Sequence, residues 1–342
     1  MKKVVVDVFG GDHAPDEILK GCLLALQKHK ELFLVLVGNR DIISEKLQGA
    51  EYDSSRTEIV DAKEVITNNE APTLAIRQKK DSSLVVALER VKTDDECIGL
   101  VSAGSTGAVL TGATLRIGRI RGISRPALAP LLPTKKGGNV LLIDCGANVD
   151  CKPNMLCDFA LMGQAYMKSI CHIENPRVGL LSNGTEDKKG NELVHETFPL
   201  LKAMPSLNFI GNIEARDILM GEVDVVVTDG FAGNVALKSI EGAGLMLLST
   251  IKKEVYGSIS GKIGGLFLKK SFNNIKTLMD YNKKGGAPFL GCEKLVIKSH
   301  GSSKAESICG SIEQVLDMDT NGLVEHIREG IAAKTAQETA HE

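Results

Sequence analysis

Tryptophan is absent from this chain of 342 residues, and aromatic residues make up only 4% of it. Such a sequence offers few platforms on which single-stranded nucleic acid could stack. The formal net charge of -2 provides no overall positive field either, so we expect no nucleic-acid partner. An aliphatic interior with many glycines, 35 in all, is instead typical of an α/β protein.

Long apolar runs are also missing. No segment approaches the roughly 20 apolar residues that a membrane-spanning helix requires. The opening sequence MKKVVVDVFGGDHAP is interrupted by Asp7 after three valines and contains no small-residue cleavage site. We therefore predict a first strand and not a signal peptide, and we expect a cytoplasmic protein.

The eight cysteines form no CxxC pair, and no pair of histidines accompanies them. In a long chain without an export signal we predict reduced thiols. Cys145, Cys151 and Cys157 are close in sequence, and a metal cluster is the alternative interpretation. The spacing favours ordinary buried cysteines, so we predict no metal site.

Short β-branched runs recur along the chain, and each is followed by a polar or glycine-rich turn and then by helical spacing. This alternation predicts βα units around a mainly parallel sheet. No internal repeat or low-complexity linker is visible, so we predict a single α/β catalytic domain over residues 1–342. The runs span residues 4–9, 33–37, 97–101, 140–143, 178–181, 223–227 and 295–297.

The loops after these runs should gather at one edge, because ligands of open α/β sheets bind outside the carboxyl ends of the strands. SAGSTGAVL, after the third run, could direct backbone N–H groups and hydroxyls at one anion, or it could be a plain tight turn. It matches neither the P-loop nor the dinucleotide motif GxGxxG. GGDHAP, after the first run, contains His13, which is a candidate base but is more commonly a turn residue.

Two further loops carry polar side chains. In TDGFAGN, Asn234 either donates to an oxyanion or caps a helix, and the spacing alone favours the cap. In SNGTEDKKGNEL, Lys188 and Lys189 are either ordinary exposed charges or a source of one positive charge directed at phosphate.

Residues 252–284 differ from the rest of the chain in charge. They include eight lysines and two acids, a local charge of +6 that leaves -8 for the remainder. Several glycines interrupt their apolar residues. We predict a basic, glycine-broken helical projection at about 245–290, with a solvated charged helix as the alternative.

Five motifs in this order resemble the bacterial phosphate acyltransferase family, the acyl-carrier-protein:phosphate transacylases of phospholipid synthesis. They are DVFGGDHAP, SAGSTGAVL, LLIDCGANVDCKP, KKGNEL and DVVVTDGFAGNVALKSIEG, and the resemblance covers about residues 4–315. The family usually has DAMGGD and SAGNTGA, where this chain has Val8, Phe9 and Ser105. The resemblance implies a Rossmann-like three-layer α/β/α fold similar to the phosphotransacetylase and isocitrate dehydrogenase superfamily. It also implies a homodimer without metal, nucleotide or other cofactor.

The implied reaction transfers a fatty acyl group from an acyl carrier protein thioester to inorganic phosphate, giving an acyl phosphate for glycerol-3-phosphate acylation. Phosphate is largely dianionic at neutral pH and a thiolate leaves readily, so positioning and charge stabilisation suffice for direct displacement. The resemblance points to Lys189 and Asn234 as the catalytic residues. The expected substrate- and phosphate-binding residues are Asp7, Gly10, Gly11, Asp12, His13, Ser102, Gly104, Ser105, Thr106, Gly107, Asp144, Asn148, Asn183, Asp229 and Gly233.

The partners expected from this reaction are an acidic acyl carrier protein, inorganic phosphate and the membrane glycerol-3-phosphate acyltransferase. Lys262, Lys269 and Lys270 of the basic segment are predicted to contact the carrier or anionic lipid at the inner face of the cell membrane. Two alternatives stay open, an NAD-dependent decarboxylating dehydrogenase and a non-catalytic membrane-associated scaffold. The dehydrogenase lacks support because Asp144, Asp150 and Asp229 form no recognisable metal-binding set.

Overall fold

A computed structural model describes residues 1–258, 264, 265, 267, 268, 270 and 285–341. Its strands are β1 (Lys2–Asp7), β2 (Leu32–Gly38), β3 (Thr57–Asp61), β4 (Cys97–Ser102), β5 (Ala127–Leu128), β6 (Leu131–Pro133), β7 (Asn139–Ile143), β8 (Arg177–Ser182), β9 (Asn208–Glu214), β10 (Val225–Val227), β11 (Ala287–Leu290) and β12 (Leu295–Lys298).

The helices alternate with these strands. They are α1 (Asp16–Lys28), α2 (Arg40–Leu47), α3 (Pro72–Gln78), α4 (Ser83–Thr93), α5 (Thr106–Gly112), α6 (Pro153–Ser169), α7 (Glu192–Lys202), α8 (Gly230–Tyr256), α9 (Ala305–Thr320) and α10 (Leu323–His341). Short 3-10 turns cover Ser54–Arg56 and Ala215–Met220, and a π-turn extends α5 over Ala113–Ile117.

The strands form two sheets. The larger sheet has seven strands in the order β3-β2-β1-β4-β12-β11-β5, and its first five strands are parallel to one another. The smaller sheet has five strands in the order β6-β7-β10-β8-β9, and only its edge strand β6 is antiparallel to its neighbour. This arrangement is the mainly parallel α/β architecture that the alternating pattern predicts.

All seven apolar runs of the sequence are confirmed as strands, but they divide between the two sheets. The runs that become β1, β2, β4 and β12 lie in the larger sheet, and those that become β7, β8 and β10 lie in the smaller one. Both hydrophobic cores nevertheless combine side chains from the two sheets; one core, for example, contains Val5 and Leu100 together with Leu142 and Val226. The loops of both sheets can therefore contribute to one site.

Helix α1 shows how the sequence produces the outer layers. Pro15 precedes its first turn, Asp16 and Glu17 lie at its positive end, and Ile18, Leu19, Cys22, Ala25 and Leu26 are buried. This apolar face packs mainly against α9. None of the described helices is both long enough and apolar enough to cross a bilayer.

The predicted basic projection is described only in part. Helix α8 continues to Tyr256, and none of its residues after Gly244 is buried in the described structure. Lys270 is exposed, whereas Lys262 and Lys269 lie outside the described residues. The start of this segment is therefore helical. Its predicted end at about residue 290 is wrong, because Ala287–Leu290 forms strand β11 of the larger sheet, and the basic part between them stays a prediction.

Candidate functional site

The loops after β1 and β4 are joined through a buried carboxylate. Asp7, at the end of β1, accepts a hydrogen bond from Ser102 Oγ at 2.7 Å, and Ser102 Oγ accepts one from the Gly104 N–H at 3.1 Å. Burial raises the pKa of the Asp7 carboxyl. A Cβ at Gly10 would lie 2.5 Å from Asp7 Oδ2, so the β1 loop can approach this closely only with glycine.

The loop after β12 meets the same two loops. The Asp12 N–H donates to the Gly301 carbonyl at 2.8 Å, and a Cβ at Gly11 would lie 2.9 Å from the Ala103 side chain. His13 is exposed, and its carbonyl accepts from the Glu17 N–H at the start of α1. The backbone of His13 therefore takes part in the turn before α1. This agrees with the interpretation of His13 as a turn residue, and a role as a base stays a prediction.

The SAGSTG loop leads directly into α5. Ser105 occupies the N-cap position of α5, but its side chain makes no capping hydrogen bond. A Cβ at Gly107 would lie 2.7 Å from Pro72 in α3, so this glycine has a packing function between two helices. Thr106 is the member of the loop that is exposed to the site.

Asp144 organises the loop after β7 in the smaller sheet. Its carboxylate accepts hydrogen bonds from the backbone N–H groups of Leu128, Ala147 and Asn148 and from Asn148 Nδ2, at 2.7–3.1 Å. Burial raises the pKa of Asp144, although these donors oppose that effect. Asn148 Nδ2 also donates to the Pro126 carbonyl. Asp144 and Asn148 therefore hold the loop in shape.

The first turn of α8 packs tightly against this loop and orients Asn234. Asp229 is the N-cap of α8, since its Oδ1 accepts from the Ala232 N–H at 2.8 Å. The cap interpretation of Asn234 is therefore wrong, because Asn234 lies in the second turn with its side chain against Gly146. A Cβ at Gly233 would lie 1.8 Å from the Asp144 carbonyl oxygen, which explains the glycine before Asn234.

A cavity of about 290 Å³ lies where the loops of the two sheets meet. Thr106 from the larger sheet and Asn234 from the smaller one both line it. The remaining lining residues are Leu128, Pro130, Cys145, Gly146, Leu237, Lys238, Ala287, Lys298, Ser299 and His300. The volume is near the lower end of small-ligand pockets, roughly 300–1,000 Å³. It suits a reacting headgroup better than a whole fatty chain.

Lys298 and His300 are site residues that the sequence analysis missed. Lys298 ends β12 and is buried, and burial lowers its pKa to about 8 while Asp12 and Asp7 oppose the shift. His300 Nδ1 lies 2.8 Å from Ser302 Oγ, and burial lowers the pKa of this imidazole. Their place in the sequence could have identified them, because KSH directly follows the apolar run at residues 295–297. These residues therefore lie at the carboxyl end of a strand, where ligands bind.

Lys189 and Asn183 lie in the loop between β8 and α7. Both are exposed, and neither is among the residues that line the cavity. Gly190 adopts a positive φ of 120°, and Asn191 caps α7 by accepting from the Val194 N–H at 3.0 Å. The GN pair of the KKGN motif thus fixes the start of α7. The catalytic role of Lys189 stays a prediction.

A second, more open cleft of about 1,120 Å³ lies beside the loop after β7. Asn148 and Asp150 line it, together with Arg125, Lys152 and Glu196 among others. Because Asn148 faces this cleft, the residues predicted to bind phosphate do not all converge on one cavity. No group of His, Cys, Asp or Glu in the described part of the chain is arranged to hold a metal ion.

Comparison with known proteins gives this site its context. A profile of the family described as "Fatty acid synthesis protein" matches residues 2–326. A phosphate acyltransferase of Clostridium perfringens is 47% identical over 333 residues, which cover 97% of this chain and 98% of that protein. A phosphate acyltransferase of Clostridium novyi is 46% identical and covers 97% of this chain and 99% of its own length. The chain belongs to the phosphate acyltransferase family.

The fold agrees with this membership. A phosphotransacetylase structure from Streptococcus pyogenes matches with a TM-score of 0.64 and 17% identity, covering 94% of each chain. This likeness supports the predicted α/β fold class. Phosphate acyltransferases are enzymes, so membership sets aside both the dehydrogenase and the non-catalytic scaffold as interpretations of the chain. The family's motifs fall at the loops after β1, β4, β7, β8 and β10.

Proposed function

We propose that the chain transfers a fatty acyl group from an acyl carrier protein thioester to inorganic phosphate and releases an acyl phosphate. The observation that carries this proposal is the shared cavity, which is lined by Thr106 and Asn234 together with the buried amine-bearing residue Lys298. Hydroxyl and amide donors suit a carbonyl that becomes an oxyanion, and positive charge suits phosphate.

The proposed chemistry needs no base. An oxygen of dianionic phosphate attacks the thioester carbonyl carbon, and a tetrahedral intermediate forms. The Asn234 amide, which lines the cavity, donates to the resulting oxyanion. Collapse of the intermediate breaks the C–S bond, so the thiolate leaves with the bonding electron pair and the acyl phosphate remains.

The side chains around the cavity argue against an acyl-enzyme. Cys145 Sγ donates to the Leu142 carbonyl, and burial raises the pKa of this thiol well above its usual value. A thiol held protonated is a poor nucleophile. Ser299 is buried, and its Oγ forms a hydrogen bond with Ser311 Oγ at 2.7 Å. We therefore propose direct displacement by phosphate.

The proposal extends to partners and location. We propose an acidic acyl carrier protein as the donor, a homodimer as the working form, and delivery of the acyl phosphate to a membrane glycerol-3-phosphate acyltransferase. Peripheral contact with the inner membrane surface is part of this proposal. The positive charge of residues 252–284 supports it, because such a segment attracts both acidic proteins and anionic lipid.

The decisive experiment incubates purified protein with acyl carrier thioester, with and without phosphate, and traps acyl phosphate as a hydroxamate. We expect hydroxamate only when phosphate is present, and rapid-quench mass spectrometry should detect no acylated protein on the turnover timescale. Thioester loss that does not depend on phosphate would contradict the proposed function. An acylated Cys or Ser formed at a competent rate would contradict direct displacement alone.

Asn234→Ala should lower kcat by roughly 10²–10³, the usual effect of losing one oxyanion donor. Asn69→Ala is the matched control, because Asn69 is exposed in the loop before α3 and lies outside the cavity. Equal activity of the two variants would remove Asn234 from the mechanism.

A further inference from the structure

Lys298 is only 8% exposed, although lysine side chains at strand ends ordinarily reach water. It is the last residue of β12 and pairs in register with Ser102 of the parallel strand β4. It therefore lies at the carboxyl edge of the sheet, where ligands of α/β proteins bind. The same lysine lines the cavity together with Thr106 and Asn234.

The ammonium group of Lys298 is short of acceptors. It carries three N–H donors, and within the described residues we find one acceptor for them, the carbonyl of Ser299. Asp7 and Asp12 attract its charge, but neither forms an ion pair with it in the described structure. Burial of a charge without a partner is costly. An anion in the cavity would supply the missing acceptors.

The other candidate lysines are placed differently. Lys238 also lines the cavity, but it is exposed and forms an ion pair with Glu241 at 2.7 Å. Lys189 is exposed in the β8–α7 loop and is not among the lining residues. Among these three, Lys298 is the one that is both buried and directed by its strand to the cavity edge.

We propose that Lys298 binds the phosphate nucleophile in this cavity, donating its unused N–H groups to phosphate oxygens. The inference rests on the proposed function, because it assigns one residue to the phosphate half of that reaction. Asn234 would then serve the thioester half from the opposite sheet. The cavity thus brings the two reactants together from the two halves of the fold.

The environment of Lys298 makes the proposal sensitive to pH. The charged or titratable groups that face it are Asp7 from β1, Asp12 from the loop before α1, Lys238 from α8 and His300 from its own loop. Burial has the largest influence and lowers the pKa of Lys298 to about 8. Below this pH the amine is charged and binds phosphate; above it the charge is lost and phosphate affinity should fall.

Two substitutions test the assignment in the full-length protein. Lys298→Gln removes the charge and should raise the KM for phosphate about 10- to 100-fold, the usual weight of hydrogen bonds to a charged group. The KM for the acyl thioester should stay within about twofold, because that half of the site is unchanged. Lys298→Arg keeps a charge at all accessible pH values, so the loss of kcat/KM for phosphate above pH 8 should disappear.

Calorimetric titration with inorganic phosphate alone provides a readout that is independent of turnover. Lys294→Gln is the matched control, because Lys294 immediately precedes the same strand, at the end away from Lys298, and its Nζ donates to the backbone carbonyls of Asp95 and Cys97. The control should bind phosphate as the wild type does. Circular dichroism melting curves establish that each variant is folded before binding is measured.

The outcomes separate the two proposals. If wild-type protein binds phosphate and Lys298→Gln binds it equally well, the assignment of Lys298 is wrong whatever the reaction. If Lys298→Arg retains the alkaline loss, the assignment is likewise wrong, and this result stands even if the glutamine variant fails to fold. If phosphate binding depends on Lys298 but no phosphate-dependent thioester loss occurs, the proposed function fails and the binding site remains.

Discussion

At the scale of single residues, the buried amine of Lys298 costs stability. Burial lowers its pKa from the usual 10.5 to about 8, so the unfolded chain binds more protons between these two pH values. The free energy of unfolding therefore rises as pH increases from about 8 to above 10.5. At neutral pH the destabilisation by the buried ammonium is fully present. The difference between the two pKa values corresponds to roughly 3 kcal/mol of folding free energy. A residue retained at such a cost commonly serves function.

Lys298→Met should consequently raise the free energy of unfolding at pH 7 by roughly 1–3 kcal/mol, since it removes the buried charge and keeps an unbranched apolar chain. The gain over wild type should shrink as pH approaches 10.5. Urea denaturation at pH 7 and pH 10 in phosphate-free buffer measures both effects. Lys294→Met, which removes a half-exposed amine just before the same strand, should show no such pH-dependent gain. An equal gain at both pH values would contradict the burial argument.

Individual site residues were only partly predictable from sequence. Thr106 and Asn234 line one cavity because they follow strands whose carboxyl ends meet there, and their roles in the reaction stay predictions. Spacing alone favours Asn234 as the cap of α8, but Asp229 performs that role, because both residue types cap helices and spacing does not fix the helix start to one residue. Lys298 was missed because its burial depends on packing across two sheets, which a local pattern does not contain.

At the scale of elements, two glycines of α8 differ sharply in their surroundings. A Cβ at Gly233 would lie 1.8 Å from the Asp144 carbonyl oxygen, whereas a Cβ at Gly242 would have no atom within 4 Å. Both positions are helical, so alanine improves helix propensity by about 1 kcal/mol at each. The difference in stability between the two alanine variants therefore measures the contribution of close packing between α8 and the loop after β7.

Gly233→Ala should destabilise the protein by about 1–3 kcal/mol or more, because the helix and the Asp144 backbone must separate to admit the methyl group. It should also lower kcat, since that movement displaces the adjacent Asn234. Gly242→Ala should be neutral or stabilising by up to about 1 kcal/mol. Thermal melting and hydroxamate assays on the pair give the comparison. If the two variants behave alike, α8 does not depend on close contact to position Asn234.

The strands were easier to predict than their arrangement. Each run of apolar, β-branched residues is long enough to identify a buried parallel strand, and all seven were found. Their division into two sheets could not be read from sequence, because β7, β8 and β10 have the same aliphatic character as β1, β2 and β4. Only the tertiary pairing distinguishes them. The site consequently lies between two sheets and not along one edge.

At the scale of the whole molecule, charge is divided between one segment and the remainder. Residues 252–284 carry +6 and the rest of the chain carries -8, so the segment can attract an acidic carrier that the rest of the surface repels. Helix α8 connects this segment to the site, because it begins beside Asn234 and continues to Tyr256. A carrier bound to the basic segment would therefore be connected to the cavity through one helix, α8.

Reversing Lys269 and Lys270 together to Glu should raise the KM for the acyl carrier substrate severalfold and weaken binding to vesicles containing anionic lipid, each lysine contributing about 1 kcal/mol near such a surface. The KM for phosphate should not change, since Lys298, the residue proposed to bind phosphate, is left intact and Lys270 is not among the residues that line the cavity. Lys80→Glu with Lys92→Glu is the matched control, because it makes the same change in net charge at exposed positions in and beside α3 and α4. Both effects should weaken with added salt, as expected for screened surface charges. If the control pair raises the carrier KM equally, net charge and not the position of the basic segment governs carrier binding.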